Sequence, residues 1–164
     1  MIDRVGEADF AGWEETPTLR ALRDLAAALD RVRIAVARRE GLSLTALQVL
    51  EHLLPGPQGT SEIADRIGVT SSAVTNAGHL LVGSGLMHRR PHPRDRRRTL
   101  LELTPAGREE TVRYLGPVFA VIQALDDTVS PDERAVIDRY LRDATRAFGA
   151  VEARVSRCLR HLDR

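Results

Sequence analysis

Short polar side chains and arginines of the kinds that bind nucleic acid follow residue 60. Ala64, Gly68 and Val74 have the spacing of a helix-turn-helix. The small alanine lets the second helix cross closely, the glycine permits a positive φ in the turn, and the valine fills the space between the helices. That burial leaves the other face of the second helix to solvent or to a ligand. The polar residues on that face are Ser71, Ser72, Thr75, Asn76 and His79.

Side chains of this type suit the base edges and phosphates of a DNA major groove. Asn76 is the candidate for an adenine contact, and the N-terminus of the same helix favours a phosphate. A solvated helix face is the alternative that the helix alone leaves open.

A cluster of arginines directly follows this helix. From Leu86 to Arg98 there are six arginines against one aspartate, although the formal net charge of all 164 residues is only +1. Alternating apolar residues predict a β-hairpin with strands over 86–90 and 98–103. The arginines at its predicted turn are Arg94, Arg96, Arg97 and Arg98. A basic turn on such a protruding hairpin, a wing, can enter the negatively charged minor groove, whereas a winged helix that binds only proteins would not need these arginines.

Two amphipathic helices precede the helix-turn-helix. Apolar residues recur at spacings of three and four from Leu19 onwards, and Gly41 ends this first helix. Ser43 or Thr45 caps the second helix, after which the proline- and glycine-rich segment 55–59 predicts a loop.

Two more helices follow the hairpin. Thr104-Pro105 combines a cap with a first-turn proline and predicts a helix to about residue 126, with a bend at Gly116-Pro117. Ser130 and Glu133 form a capping box that opens the last helix. The predicted order is four helices, a two-stranded hairpin and two helices.

The last helix carries a heptad stripe of apolar residues. Its members are Ile137, Leu141, Ala144, Phe148, Val151, Val155, Cys158 and Leu162. An exposed stripe of this length is an aggregation liability on a monomer, so we expect the first and last helices to pair with those of a second subunit. Packing against the helix at 105–126 is an alternative for part of the stripe.

The sequence from about residue 19 to 162 resembles the MarR (multiple-antibiotic-resistance regulator) family of bacterial winged-helix proteins. The most specific elements are PRDRRR at Pro93–Arg98 and LLELTPAGR at Leu100–Arg108. The resemblance implies a homodimer with interwoven terminal helices, a recognition helix of each subunit in successive major grooves, and a wing arginine in the flanking minor groove. The family usually has an acidic residue where this chain has His92, so we expect a less rigidly held wing.

These patterns predict a mainly α fold with a small β-hairpin wing: a winged helix-turn-helix with N- and C-terminal dimerisation helices. Residues 1–16 would form a loose arm and 43–104 the DNA-binding region. Residues 17–40 and 105–164 would form the dimerisation region.

The expected function is that of a sequence-specific transcriptional regulator, a ligand-responsive repressor that binds a pseudo-palindromic operator of double-stranded DNA as a homodimer. The alternative is a winged-helix protein that binds proteins or has an architectural role without a specific operator. The resemblance implies a small lipophilic effector, for which Trp13, Arg20 and His52 are candidate contacts.

No nucleophile with a base, carboxylate pair or metal cluster has a telling spacing, so we expect neither an enzyme nor a cofactor. The histidines at 79, 88 and 92 are more typical of phosphate contacts than of a metal site.

The single cysteine, Cys158, excludes an intrachain disulfide, and its place on the stripe favours a structural thiol over a redox sensor. The N-terminus lacks a secretory signal, and no apolar run approaches the roughly 20 residues that span a bilayer. We therefore expect a cytoplasmic protein without a membrane partner.

Overall fold

The described part of the chain contains six helices and three strands. The computed structural model describes residues 14–162, without the side chains of residues 96, 97 and 156–162. The helices α1 to α6 span Pro17–Arg39, Leu44–Leu53, Thr60–Ile67, Ser71–Gly83, Pro105–Asp126 and Pro131–Leu162. The strands β1 to β3 span Gln58–Gly59, Met87–His92 and Asp95–Leu103. Trp13 and most of the predicted arm, together with the side chain of Cys158, therefore lie outside the described residues.

Helix ends follow the capping residues in the sequence. Ser43 Oγ accepts the Ala46 N–H at 3.1 Å and caps α2, which settles the choice between Ser43 and Thr45. At the start of α6, the backbone N–H of Ser130 donates to Glu133 Oε2 at 3.0 Å, as the predicted capping box requires. Hydrogen bonds from the hydroxyl and the N–H of Ser130 hold the pKa of the Glu133 carboxyl below its usual range. These local hydrogen bonds satisfy N–H groups that a helix leaves without partners at its first turn.

The main core lies between α2, α3, α4 and the sheet. Its buried members are Ala46, Val49, Leu50, Leu53, Ile63, Ala64, Val74, Ala77, Leu81, Met87, Leu101 and Leu103. A smaller cluster of Ala37, Leu47 and Leu115 joins α1, α2 and the first part of α5. Helix α2 contributes to both clusters because its apolar residues lie on more than one face of the helix.

The sheet has three antiparallel strands in the order β1-β3-β2, so the prediction of a two-stranded hairpin was incomplete. The additional strand comes from the segment expected to be a loop, where Gln58 pairs with Leu101 and Gly59 with Leu100. Two residues are too short to show an alternating pattern. Their pairing depends on a strand about forty positions further along the chain.

The chain divides into two compact units after Gly116. Helix α5 is continuous across this point and contains Pro117 within its span, and the predicted bend there stays a prediction. In the second unit, the large apolar members of the heptad stripe with described side chains are exposed, from 41% for Leu141 to 65% for Phe148, whereas Ala144 is half-buried. None of the described helices is both long and apolar enough to cross a membrane.

Candidate nucleic-acid interface

The turn between α3 and α4 has the geometry that the sequence predicts for a helix-turn-helix. Gly68 ends α3 with φ 69°, in the left-handed region, and the following Val69 N–H donates to Ala64 O at 3.1 Å. Ala64 and Val74 are 2% and 0% exposed, so both lie in the contact between the helices as expected. This packing fixes which face of α4 is turned away from the core.

The predicted polar side chains on the outward face of α4 differ in their exposure to solvent. Ser71, Ser72, Asn76 and His79 are exposed, whereas Thr75 is half-buried. The Thr75 hydroxyl donates to Ser71 O at 2.8 Å, so its proton is already engaged within the helix. The side chains of Asn76 and His79 form no hydrogen bond with any other described residue. Their polar groups are consequently available to a ligand.

The hairpin extends further towards its turn than the sequence predicts. Strands over 86–90 and 98–103 were expected, but the ladder reaches His92 on β2 and Asp95 on β3. Only Pro93 and Arg94 therefore form the turn, and the placement of Arg96, Arg97 and Arg98 at the turn was wrong because they belong to β3. A register shift between Pro91 and His92 leaves residues 96–98 between Thr99, the partner of Pro91, and Asp95, the partner of His92.

Arg94 and Arg98 are exposed, and neither side chain forms an ion pair with the described part of the molecule. The side chains of Arg96 and Arg97 lie outside the described residues. Arginines at this end of the hairpin can thus present charge to a polyanion.

A hydrogen bond spans the wing turn. His92 Nδ1 accepts the backbone N–H of Arg94 at 3.2 Å. A neutral imidazole has one ring nitrogen that can accept a hydrogen bond, and either oxygen of a carboxylate can do the same. His92 can therefore perform the hydrogen-bonding role of the expected acidic residue. No group of three or more histidine, cysteine or carboxylate side chains within the described residues has the arrangement of a metal site.

Two arginines outside the predicted site residues, Arg89 and Arg90, differ in their surroundings. Arg90 Nε lies 3.4 Å from Glu102 Oε2, and His88 Nε2 lies 3.2 Å from the same oxygen. Arg89 pairs in register with Leu101. Its side chain extends from the face of the strand opposite to that of Arg90. It forms no ion pair with a described side chain. Strand alternation was the signal that separates Arg89 from Arg90, but it became usable only once the register was known.

Of the three residues predicted to contact an effector, Arg20 and His52 lie in the described part of the chain, and each has a hydrogen-bond partner there. Arg20 Nε donates to Glu15 Oε2 at 3.1 Å. His52 Nδ1 lies 3.0 Å from Gln48 O on its own helix. No hydrogen bond or ion pair of the described residues joins Arg20 to His52, and Trp13 lies outside the described range.

Comparisons with known proteins agree with this geometry. Residues 42–99 match the model of the MarR family. The HTH-type transcriptional repressor YetL of Bacillus subtilis strain 168 is 26% identical over 126 residues, which cover 75% of each chain. The structure of RV1404 from Mycobacterium tuberculosis is 29% identical with a TM-score of 0.57, and covers 84% of this chain and 97% of its own. A mutant of MepR from a multidrug-resistant clinical isolate of S. aureus has a TM-score of 0.64 at 17% identity, over 82% of this chain and 99% of its own, and so shows the fold alone.

Proposed function

The chain belongs to the MarR family, and from this membership we propose that it is a transcriptional regulator that binds double-stranded DNA as a homodimer. The observation that carries the proposal is the placement of uncommitted hydrogen-bonding groups on α4 beside exposed arginines on the wing. A helix with short polar side chains fits the major groove, and arginine on a hairpin fits the adjacent minor groove. The DNA would thus be contacted in two adjacent grooves by each subunit.

Helix α4 and the wing would have different roles in DNA recognition. Asn76 would read a base edge from α4, the recognition helix, while Ser71, Ser72, Thr75 and His79 would contact bases or phosphates. Thr75 would act as an acceptor, because its proton is engaged by Ser71 O. The wing arginines at 94 and 96–98 would supply charge in the minor groove and along the backbone.

The exposed heptad stripe supports the proposal of a homodimer. Leucine, valine and phenylalanine side chains along this helix are 41–65% exposed. Their burial against a second copy of the chain would stabilise the dimer. A symmetric dimer would place two recognition helices on a pseudo-palindromic operator, with half-sites about one helical turn apart.

Repression and a response to a ligand complete the proposal. YetL is named a transcriptional repressor, and we assign the same direction of control to this protein. An effector would release the operator by changing the separation of the two recognition helices, which requires different affinities for the two arrangements. Trp13, Arg20 and His52 remain the candidate contacts for the effector. A cytoplasmic location and the lack of catalytic activity belong to the same proposal.

Fluorescence anisotropy tests the central claim. The purified protein is titrated onto labelled DNA from upstream of its own gene and onto a scrambled duplex, across a series of salt concentrations. Binding of two subunits to the native fragment, at least about a hundredfold tighter than to the scramble, supports a sequence-specific regulator. Weak and equal binding to both duplexes favours an architectural protein instead, and no binding to either contradicts the function.

A further inference from the structure

We propose that Arg89 contacts the phosphates of the DNA strand that passes between the recognition helix and the wing. This assignment rests on the proposed function, because it needs α4 in the major groove and the wing in the minor groove. It adds a contact with the DNA backbone at the junction of the two elements, from a residue outside the site predicted from the sequence.

The register of the sheet directs Arg89 towards the recognition helix. On β2, Met87, Arg89 and their partners Leu103 and Leu101 lie on the face that packs against the core. Side chains alternate between the faces of a strand, so Arg90 points the other way.

Arg89 lies close to α4 at Gly78. A Cβ atom built on Gly78 would lie 3.7 Å from Arg89 Nη2 and 3.4 Å from Met87 Cε. The guanidinium therefore lies along the flank of α4 at the position before His79 and two positions after Asn76. A longer side chain at position 78 would displace it from this flank.

The charge of Arg89 is not neutralised by the described part of the protein. The side chain of Arg89 is exposed and has no ion pair or hydrogen bond with that part, and α4 contains no acidic residue. Arg90, its neighbour, shares Glu102 with His88 on the opposite face. Two adjacent arginines thus differ in whether their charge is free to meet an anion.

The position of Arg89 corresponds to a defined part of the DNA. Neighbouring major and minor grooves are separated by one sugar–phosphate strand, so a protein that occupies both grooves straddles that strand. A guanidinium between the two elements faces its phosphate oxygens, with which arginine forms bidentate, charge-assisted hydrogen bonds. Phosphate contacts carry no sequence information, which makes the proposal testable without a known operator.

The test compares Arg89→Gln with Arg90→Gln on a random-sequence duplex of about three helical turns. Both changes remove one positive charge from the same strand. We expect Arg89→Gln to weaken binding about tenfold and to lower the slope of log affinity against log salt by about 1 for each subunit. Arg90→Gln should leave the slope unchanged, because Glu102 already neutralises Arg90. Circular dichroism melting of each variant checks the fold.

Arg89→Lys separates a phosphate contact from a packing role. Lysine keeps the charge without the planar fork, so it should restore the salt slope but not the full affinity. A loss of affinity in Arg89→Gln without a change of slope, or equal slopes for the Arg89 and Arg90 variants, would overturn the assignment alone. Failure of the unaltered protein to bind any duplex would overturn the proposed function together with this contact.

Discussion

Among the polar residues of α4, Asn76 illustrates how local bonding separates candidates that look alike in the sequence. Thr75 uses its hydroxyl proton within the helix, and Ser72 Oγ lies 2.9 Å from Thr70 Oγ1. Asn76 is exposed and keeps its amide groups free of the other described residues. An amide presents a donor and an acceptor side by side, which is the arrangement that pairs with adenine in the major groove.

Replacing Asn76 with alanine should therefore affect sequence discrimination. We expect Asn76→Ala to cost about 1–3 kcal/mol of binding free energy on the cognate operator and little on a scrambled duplex. Anisotropy titrations of the same two duplexes at one salt concentration measure the difference. Equal losses on both sequences would contradict a base-reading role for Asn76.

His92 allows a test of the hydrogen bond across the wing turn. His92→Asn keeps a side-chain oxygen that can accept the Arg94 N–H, whereas His92→Ala removes the acceptor. A hydrogen bond between neutral groups contributes about 0.5–1.5 kcal/mol, so His92→Ala should weaken DNA binding by up to about tenfold while His92→Asn stays close to the unaltered protein. Equal affinities of the alanine and asparagine variants would show that the turn does not need this bond.

At the scale of elements, the start of α5 is held against the end of the α4–β2 connection. Thr104 Oγ1 accepts the Gly107 N–H at 2.9 Å and donates to Gly85 O at 2.7 Å. The backbone N–H of Thr104 donates to Leu86 O at 3.1 Å. These bonds bring two backbone segments so close that position 107, in the first turn of α5, has no room for a side chain.

Gly107 should therefore not tolerate alanine. Its Cβ would lie 1.7 Å from Leu86 O, a backbone atom that cannot rotate away, so α5 or the preceding segment must shift. We expect Gly107→Ala to lower the free energy of unfolding by about 1–3 kcal/mol or more.

Gly116→Ala is the matched control in the same helix, because a Cβ there meets no atom within 4 Å. It should change the free energy of unfolding much less than Gly107→Ala, because the better helix propensity of alanine is opposed by the restriction that Pro117 places on the residue before it. Urea denaturation followed by circular dichroism compares the two variants. Similar stabilities would contradict the close approach of α5 to Leu86.

For the molecule as a whole, assembly depends on the stripe along α6. Phe148 is 65% exposed in the described chain. We expect Phe148→Glu to shift the protein from dimer to monomer, because an ionised carboxylate is costly to bury in an apolar interface. DNA affinity should fall with it, since two half-sites are no longer held together.

Arg139 provides a control on the same helix, two positions from the stripe residue Ile137 and on the opposite side of the helix. Arg139→Ala should remain dimeric. Sedimentation equilibrium over a range of protein concentrations measures the oligomeric state of both variants. A dimer that persists in Phe148→Glu would exclude this part of the stripe from the interface.

Much of the helical architecture could be predicted because its causes are local. Helix periodicity, the cap at Ser43, the capping box at Ser130 and the positive φ of Gly68 all depend on residues within a few positions of one another. The buried positions of Ala64 and Val74 followed from the same short-range spacing. The boundaries failed where a local signal was missing, as in the strands that reach His92 and Asp95.

The sequence by itself determined which helices form, where the helix-turn-helix lies and that a basic hairpin follows it. Only the tertiary structure decided that Gln58 and Gly59 add a third strand, that Arg89 lies along α4 while Arg90 pairs with Glu102, and that Gly107 meets Leu86. Each of these depends on strand register or on the approach of distant segments. A pattern of neighbouring residues predicts which face of its own element a side chain occupies. The residue of another element that it contacts is determined only when the whole core packs.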